Sequence, residues 1–179
     1  MSEDLVDAPG GAYADLKNLF DIAKSIIGII AVIAGAVWGA IEYHNKVVAD
    51  RVKETLAMVE RFHKAPFNDA YARINSVWSA NEGKAAEVAN DAAKLNAFIL
   101  SVIGENKLDD PLITMFDFFR EVQVCVDRKI CDRDVANAFF LGEARAIYST
   151  NYPFIETKRA LRKDPSFAAH LQAFVGAKR

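Results

Sequence analysis

The stretch ERFH, Glu60 to His63, sets a carboxylate and an imidazole three residues apart, on one face of any helix that contains them. Di-iron helical bundles use this unit twice and complete it with a carboxylate from each of two further helices. The chain has no second copy, and its three histidines, His44, His63 and His170, lie in separate segments. The commoner use of such a pair is a solvated, favourably charged stalk face. The sequence also lacks a GxxxxGK[ST] phosphate loop, a GxGxxG turn, an HExxH pair and a GxSxG nucleophile elbow. No catalytic, cofactor-binding or metal residue is therefore assigned, and a metal-dependent enzyme stays an alternative.

Cys125 and Cys131 are six apart in CVDRKIC, without the CxxC spacing of zinc or redox sites. They are read as reduced thiols serving as small core hydrophobes, with a disulfide between them as the alternative. The basic cluster Lys158, Arg159, Arg162 and Lys163 has two readings. One is contact with anionic lipid. The other is a solvated helix face with its cations near the C-terminus, where the helix dipole favours them. The aromatic set Phe116, Phe118, Phe119, Phe139, Phe140, Tyr148, Tyr152 and Phe154 is expected to form a packed core. Adjacent rings cannot both face one way on a helix, so one of each Phe-Phe pair is expected to face a partner.

The elements that would carry these residues begin with an apolar run. Ile26 to Ile41 is sixteen residues without a charge or amide, about 25 Å of helix at ~1.5 Å per residue. Counting outward to Ala23 and Tyr43 closes the gap to a bilayer core of about 30 Å. Lys24 can extend its ammonium to the headgroups, and Phe20, Trp38 and Tyr43 fall near the two interfaces, where amphipathic rings settle. A cleaved signal peptide needs a basic leader, whereas the residues before the run carry five acids and two lysines. An interfacial helix would show a polar face, and residues 26–41 have none. The run is read as a transmembrane helix over residues 25–43.

Flanking charge orients it. Lys17 and Lys24 precede the span, while Lys46, Arg51, Lys53, Arg61 and Lys64 follow it, which places the C-terminal domain in the cytoplasm of a cell (inner) membrane protein, N-terminus outside. Residues 1–11 read as a disordered acidic tail, and residues 12–24 as an interfacial amphipathic segment. Within the span Ala31, Gly35 and Gly39 recur every four residues, the last two forming a GxxxG that lets helix backbones approach closely. The functional reading is a homodimer or docking to another membrane subunit; the plain reading is that glycine is common in such helices.

The remainder reads as all-α. A stalk over residues 44–65 is expected to end near His63 before Pro66, and residues 66–179 to form a compact multi-helix bundle. NEG at Asn81–Gly83 is expected to interrupt a helix, and KAAEVANDAAKLNAFILSVIG to form one helix stopped by Gly104. Asp110-Pro111 and Asp164-Pro165 read as helix starts, as do Asp132 and Asn151–Pro153. No alternating run outside a helical pattern suggests a strand.

Taken in order, PFNDAYARI, FDFFREVQVCVDRKICDRDVANAFF and YPFIETKRALRKDPSF resemble an uncharacterised family of small bacterial proteins, a domain of unknown function often preceded by one membrane segment. The resemblance covers the chain from about Val48 and implies a helical fold at a bacterial membrane. It implies no reaction. The balance of 22 basic and 24 acidic residues removes the electrostatic footprint of a nucleic-acid binder. The expected partners are the lipid bilayer and a protein partner or second copy. The function expected is a single-pass, membrane-anchored interaction or accessory module, with a membrane effector in stress or phage defence as the alternative.

Overall fold

The computed structural model describes residues 11–176, with side chains from residue 32 onward. Two compact units divide at Val47/Val48. The described part of the first is helix only, the opening portion of α1 (Gly11–Phe62). The expected acidic tail lies almost wholly outside the described residues. So do the side chains of the expected interfacial segment.

The second unit holds the rest of α1 and six further helices: α2 (Phe67–Val88), α3 (Ala92–Glu105), α4 (Asp109–Asp127), α5 (Arg133–Thr150), α6 (Tyr152–Arg162) and α7 (Ala169–Phe174). No strand occurs among the described residues. EVQVCV, which alternates briefly, lies within α4. Amphipathic helices supply the core: α4 buries Leu112, Met115, Phe116, Phe118, Phe119, Val122 and Val126, and packs against α2, α5 and α7. Phe118 lies 5.0–5.5 Å, centroid to centroid, from Phe67, Phe62, Phe140 and Phe119. Offset and edge contacts of this kind add attraction to the area each ring buries.

Residues 48–62 of the expected stalk contribute to this core directly. Phe62 meets Tyr71, Phe118 and Phe140, and Thr55 is 1% exposed. One expectation about the paired rings is corrected. Phe118 and Phe119 are both fully buried, because α4 has neighbours on more than one side. The second pair divides as expected, with Phe140 buried and Phe139 exposed.

Several helix boundaries also differ from expectation. Asn81–Gly83 does not interrupt α2, where the Asn81 side chain donates to the Val77 carbonyl and keeps its own turn. The break falls instead at Ala89–Asn90, because the Asp91 carboxylate accepts from the amides of Ala93 and Lys94 and starts α3. Gly104 is inside α3 rather than its stop. The stop is Lys107 at φ 52°, where Lys107 N–H donates to Gly104 O and Leu108 N–H to Ile103 O, the paired bonds of a Schellman turn. That turn carries Leu108 into the core, so α4 begins at Asp109 and Pro111 is its third residue, not its first.

The same device closes α4 at Lys129 and α6 at Lys163, each in the left-handed region. Lysine there brings a cation to a helix C-terminus, which offsets part of the cost of its backbone conformation. Asp164 binds the amide and hydroxyl of Ser166 and so holds a turn, while α7 starts five residues later. Asp132 caps α5 through Asp134 and Val135, and α6 opens at Tyr152-Pro153, both as expected.

Candidate functional site

Three places in the chain hold residues that packing alone does not account for. The first is the apolar part of α1. Of the expected membrane-facing residues, Phe20, Lys24 and Ala31 lie outside the residues with described side chains, as does the start of the expected span. Gly35, Gly39, Trp38 and Tyr43 are described, and all four are exposed. Val32, Ile33, Val37 and Ile41 are exposed as well, so the described part of the run has no core of its own. A Cβ added at Gly35 or Gly39 would meet nothing within 4 Å among the described residues, so no packing contact described here requires a glycine at either position. Among the residues with described side chains, no helix is long and apolar enough to cross a membrane.

The second is the junction of α4 and α5. The expectation of reduced thiols is corrected here: Cys125 and Cys131 form a disulfide, with Cα atoms 5.2 Å apart. The Schellman turn explains why a six-residue spacing suffices. With Lys129 left-handed, the amides of Ile130 and Cys131 both donate to Cys125 O, at 3.0 and 3.1 Å, and the chain returns over the last turn of α4. Beside it, Thr55 Oγ1 donates to Arg51 O and accepts from Asp132 N–H, both at 2.8 Å. One buried hydroxyl thus links α1 to the cap of α5. Spacing rules for cysteine motifs miss the pair, which the turn at the end of α4 brings together.

The third is a cleft of about 120 Å³ between α2 and α5, lined by Tyr71, Ile74, Asn75 and Trp78 from α2 and by Glu143, Ala146, Ile147, Thr150 and Asn151. Tyr71 donates its phenol proton to the Glu143 carboxylate. Burial first, and that bond second, hold the Tyr71 hydroxyl above the usual phenol range. Trp78 Nε1 and Asn151 Oδ1 are buried with no hydrogen-bond partner among the described residues. Nothing in the sequence brings these residues together, since Tyr71 and Glu143 are 72 positions apart.

The remaining sequence candidates are occupied otherwise. Glu60 pairs with Lys64 at 2.5 Å, and the Lys64 ammonium holds its carboxyl below the usual range. His63 edges against Phe62. Among the described residues no three His, Cys, Asp or Glu side chains are grouped to hold a metal ion. In the basic cluster, Lys158 pairs with Asp109 at 2.6 Å and lies over the Phe154 ring. Arg159 binds Phe167 O, Glu156 and Gln172, and Arg162 covers the Phe167 ring. Three of the four cations therefore tie α6 to its neighbours.

A helical domain behind an apolar helix defines the general class. The chain belongs to the family described as domain of unknown function (DUF4760), whose family model matches residues 29–177. The match begins within the apolar run, upstream of the point where the sequence resemblance starts. No curated protein and no solved structure matches the chain.

Proposed function

We propose that this protein is a membrane-anchored helical interaction module, held by residues 25–43 and presenting residues 48–179 as a folded domain. The observation that carries this reading is the apolar stretch of α1. Sixteen residues lack any charge or amide, and those with described side chains are exposed over their whole length. In water such a helix would leave a large apolar surface uncovered; hydrocarbon covers it and leaves its backbone bonds intact. Extension of the family match to residue 29 supports treating the run as part of the domain family.

The excess of Lys and Arg after the run supports an N-out orientation in the cell (inner) membrane, with the domain in the cytoplasm. The Cys125–Cys131 disulfide weighs against that placement, because such bonds are rare in a reducing cytoplasm. Gly35 and Gly39 offer a face on which a second copy can lie backbone to backbone.

Carbonate extraction of membranes containing the full chain, with reporters fused at either end, tests the proposal. The protein is expected to resist extraction, with its C-terminal reporter active only inside. Release by carbonate overturns the anchor, and an external C-terminus overturns the orientation. Cross-linking in membranes then tests pairing: a dimer band is expected, and replacing both Gly35 and Gly39 with Leu is expected to abolish it.

A further inference from the structure

Sulfur is not the only thing that holds the turn between α4 and α5. The amides of Ile130 and Cys131 donate to Cys125 O at 3.0 and 3.1 Å, and these bonds keep the Cys131 backbone against the last turn of α4 without help from the side chains. The covalent loop is also short, with a separation of six, and a bond across a short loop removes little freedom from the unfolded chain. Two folded forms, disulfide and dithiol, are therefore open to the domain.

The two cysteines differ in access. Cys131 is 4% exposed, whereas Cys125 is half-buried. Charge does not distinguish them, because the cleft beside Cys131 is lined by Arg51, Lys129 and Arg133 and equally by Asp127, Asp132 and Asp134. An incoming thiolate accordingly meets Cys125 first.

What the bond restrains is the next residue. Asp132 follows Cys131, caps α5 with its carboxylate and donates its amide proton to Thr55 Oγ1 at 2.8 Å. Thr55 is 1% exposed and belongs to α1, the helix that carries the apolar run. One short path thus runs from the sulfur on α4 through Cys131 and Asp132 to α1.

We propose that Cys125–Cys131 is a thiol-responsive switch, opened by attack of a low-molecular-weight thiol on Cys125 Sγ, whose state sets how firmly Asp132 holds Thr55. In the opening step the thiolate bonds to Cys125 Sγ, the bond to Cys131 breaks, and Cys131 leaves as a thiolate that takes up a proton. A second thiolate attacks the sulfur of the first small thiol, Cys125 leaves in turn, and the small thiol departs as its own disulfide. The protein gains two electrons and two small thiols are oxidised. Such coupling is reciprocal: a closed bond that strengthens the Asp132–Thr55 hydrogen bond is favoured by that hydrogen bond to the same extent. Every residue involved belongs to the unit from Val48 onward, so the switch operates with or without the anchor.

The test equilibrates the full chain in detergent with reduced and oxidised glutathione over a range of ratios. Thiols are trapped by alkylation and counted by mass, while circular dichroism follows the fold. Disulfide and dithiol forms are expected to interconvert reversibly with the domain still helical. Thr55→Val is expected to lower the [GSH]²/[GSSG] midpoint at least about threefold. Thr55→Ser, which keeps the hydroxyl, and Lys158→Gln, which removes an ion pair elsewhere in the domain, are expected to leave it unchanged. In single-cysteine chains, Cys131→Ser is expected to form a mixed disulfide with oxidised glutathione at least about tenfold faster than Cys125→Ser.

A bond that opens only when the helices melt overturns the proposal. So does an unmoved midpoint in Thr55→Val, or an equal shift in Lys158→Gln. Equal or faster reaction at Cys131 overturns Cys125 as the point of attack. Reversibility and the single-cysteine rates decide the matter even if Thr55→Val fails to fold.

Discussion

Thr55 shows how much one side chain can connect. Its hydroxyl works in both directions, donating within α1 and accepting from the Asp132 amide 77 residues away. Thr55→Val keeps the shape but leaves that amide, which is half-buried, without its partner, at a cost of up to about 1–3 kcal/mol. The urea midpoint is expected to fall by a corresponding amount, while Thr55→Ser, which keeps the hydroxyl, falls less. Equal losses in both variants would mean that the methyl group, and not the hydrogen bond, is what matters there.

At the scale of elements, the three lysine-closed turns share one physical problem. Lys107, Lys129 and Lys163 adopt φ of 52°, 57° and 51°, a region that costs a side-chain-bearing residue about 1–2 kcal/mol. Lys→Gly at each position removes that cost but adds unfolded-state entropy and removes a favourable cation, so each variant is expected to be neutral or up to about 1 kcal/mol more stable. Arg145→Gly, in the middle of α5, is expected instead to lose about 1 kcal/mol. Thermal midpoints of the four variants test the contrast.

These turns also explain which boundaries were legible in the sequence. Asp132 and Pro153 mark helix starts by local chemistry, a side-chain cap and a proline in the first turn, and a helix begins at each. A glycine at 104 and an acid-proline pair at 110–111 are ordinary stop and start signals, yet tertiary packing of Leu108 overrode both. The apolar stripe of α4 was readable from its period. The α2/α5 cleft was not, since its chemistry comes from residues such as Tyr71 and Glu143 that only the folded chain brings into contact.

For the whole molecule, protonation bounds stability on two sides. Three carboxyls have folded-state values below the usual range: Asp91 through the Lys94 amide, Asp164 through the Ser166 hydroxyl, and Glu60 through Lys64. Their contribution is fully present above the ordinary carboxylate values near pH 4 and is lost as pH falls through the lowered ones. Tyr71 has the opposite sign. Its raised value favours the folded state below about pH 10, and that gain is lost as pH rises through the folded value. Urea midpoints measured across pH should therefore decline at both ends. Asp91→Asn should flatten the acid limb and Tyr71→Phe the alkaline limb, each leaving the other end unchanged.

The bond between Cys125 and Cys131 encloses Arg128 and Lys129, both exposed at the end of α4. These are the residues after which trypsin cleaves. A nick at either position cuts the backbone but not the molecule, because the two fragments stay joined through sulfur. The protein would run as one intact band without reductant and as two with it, so integrity judged on an ordinary non-reducing gel would be overstated.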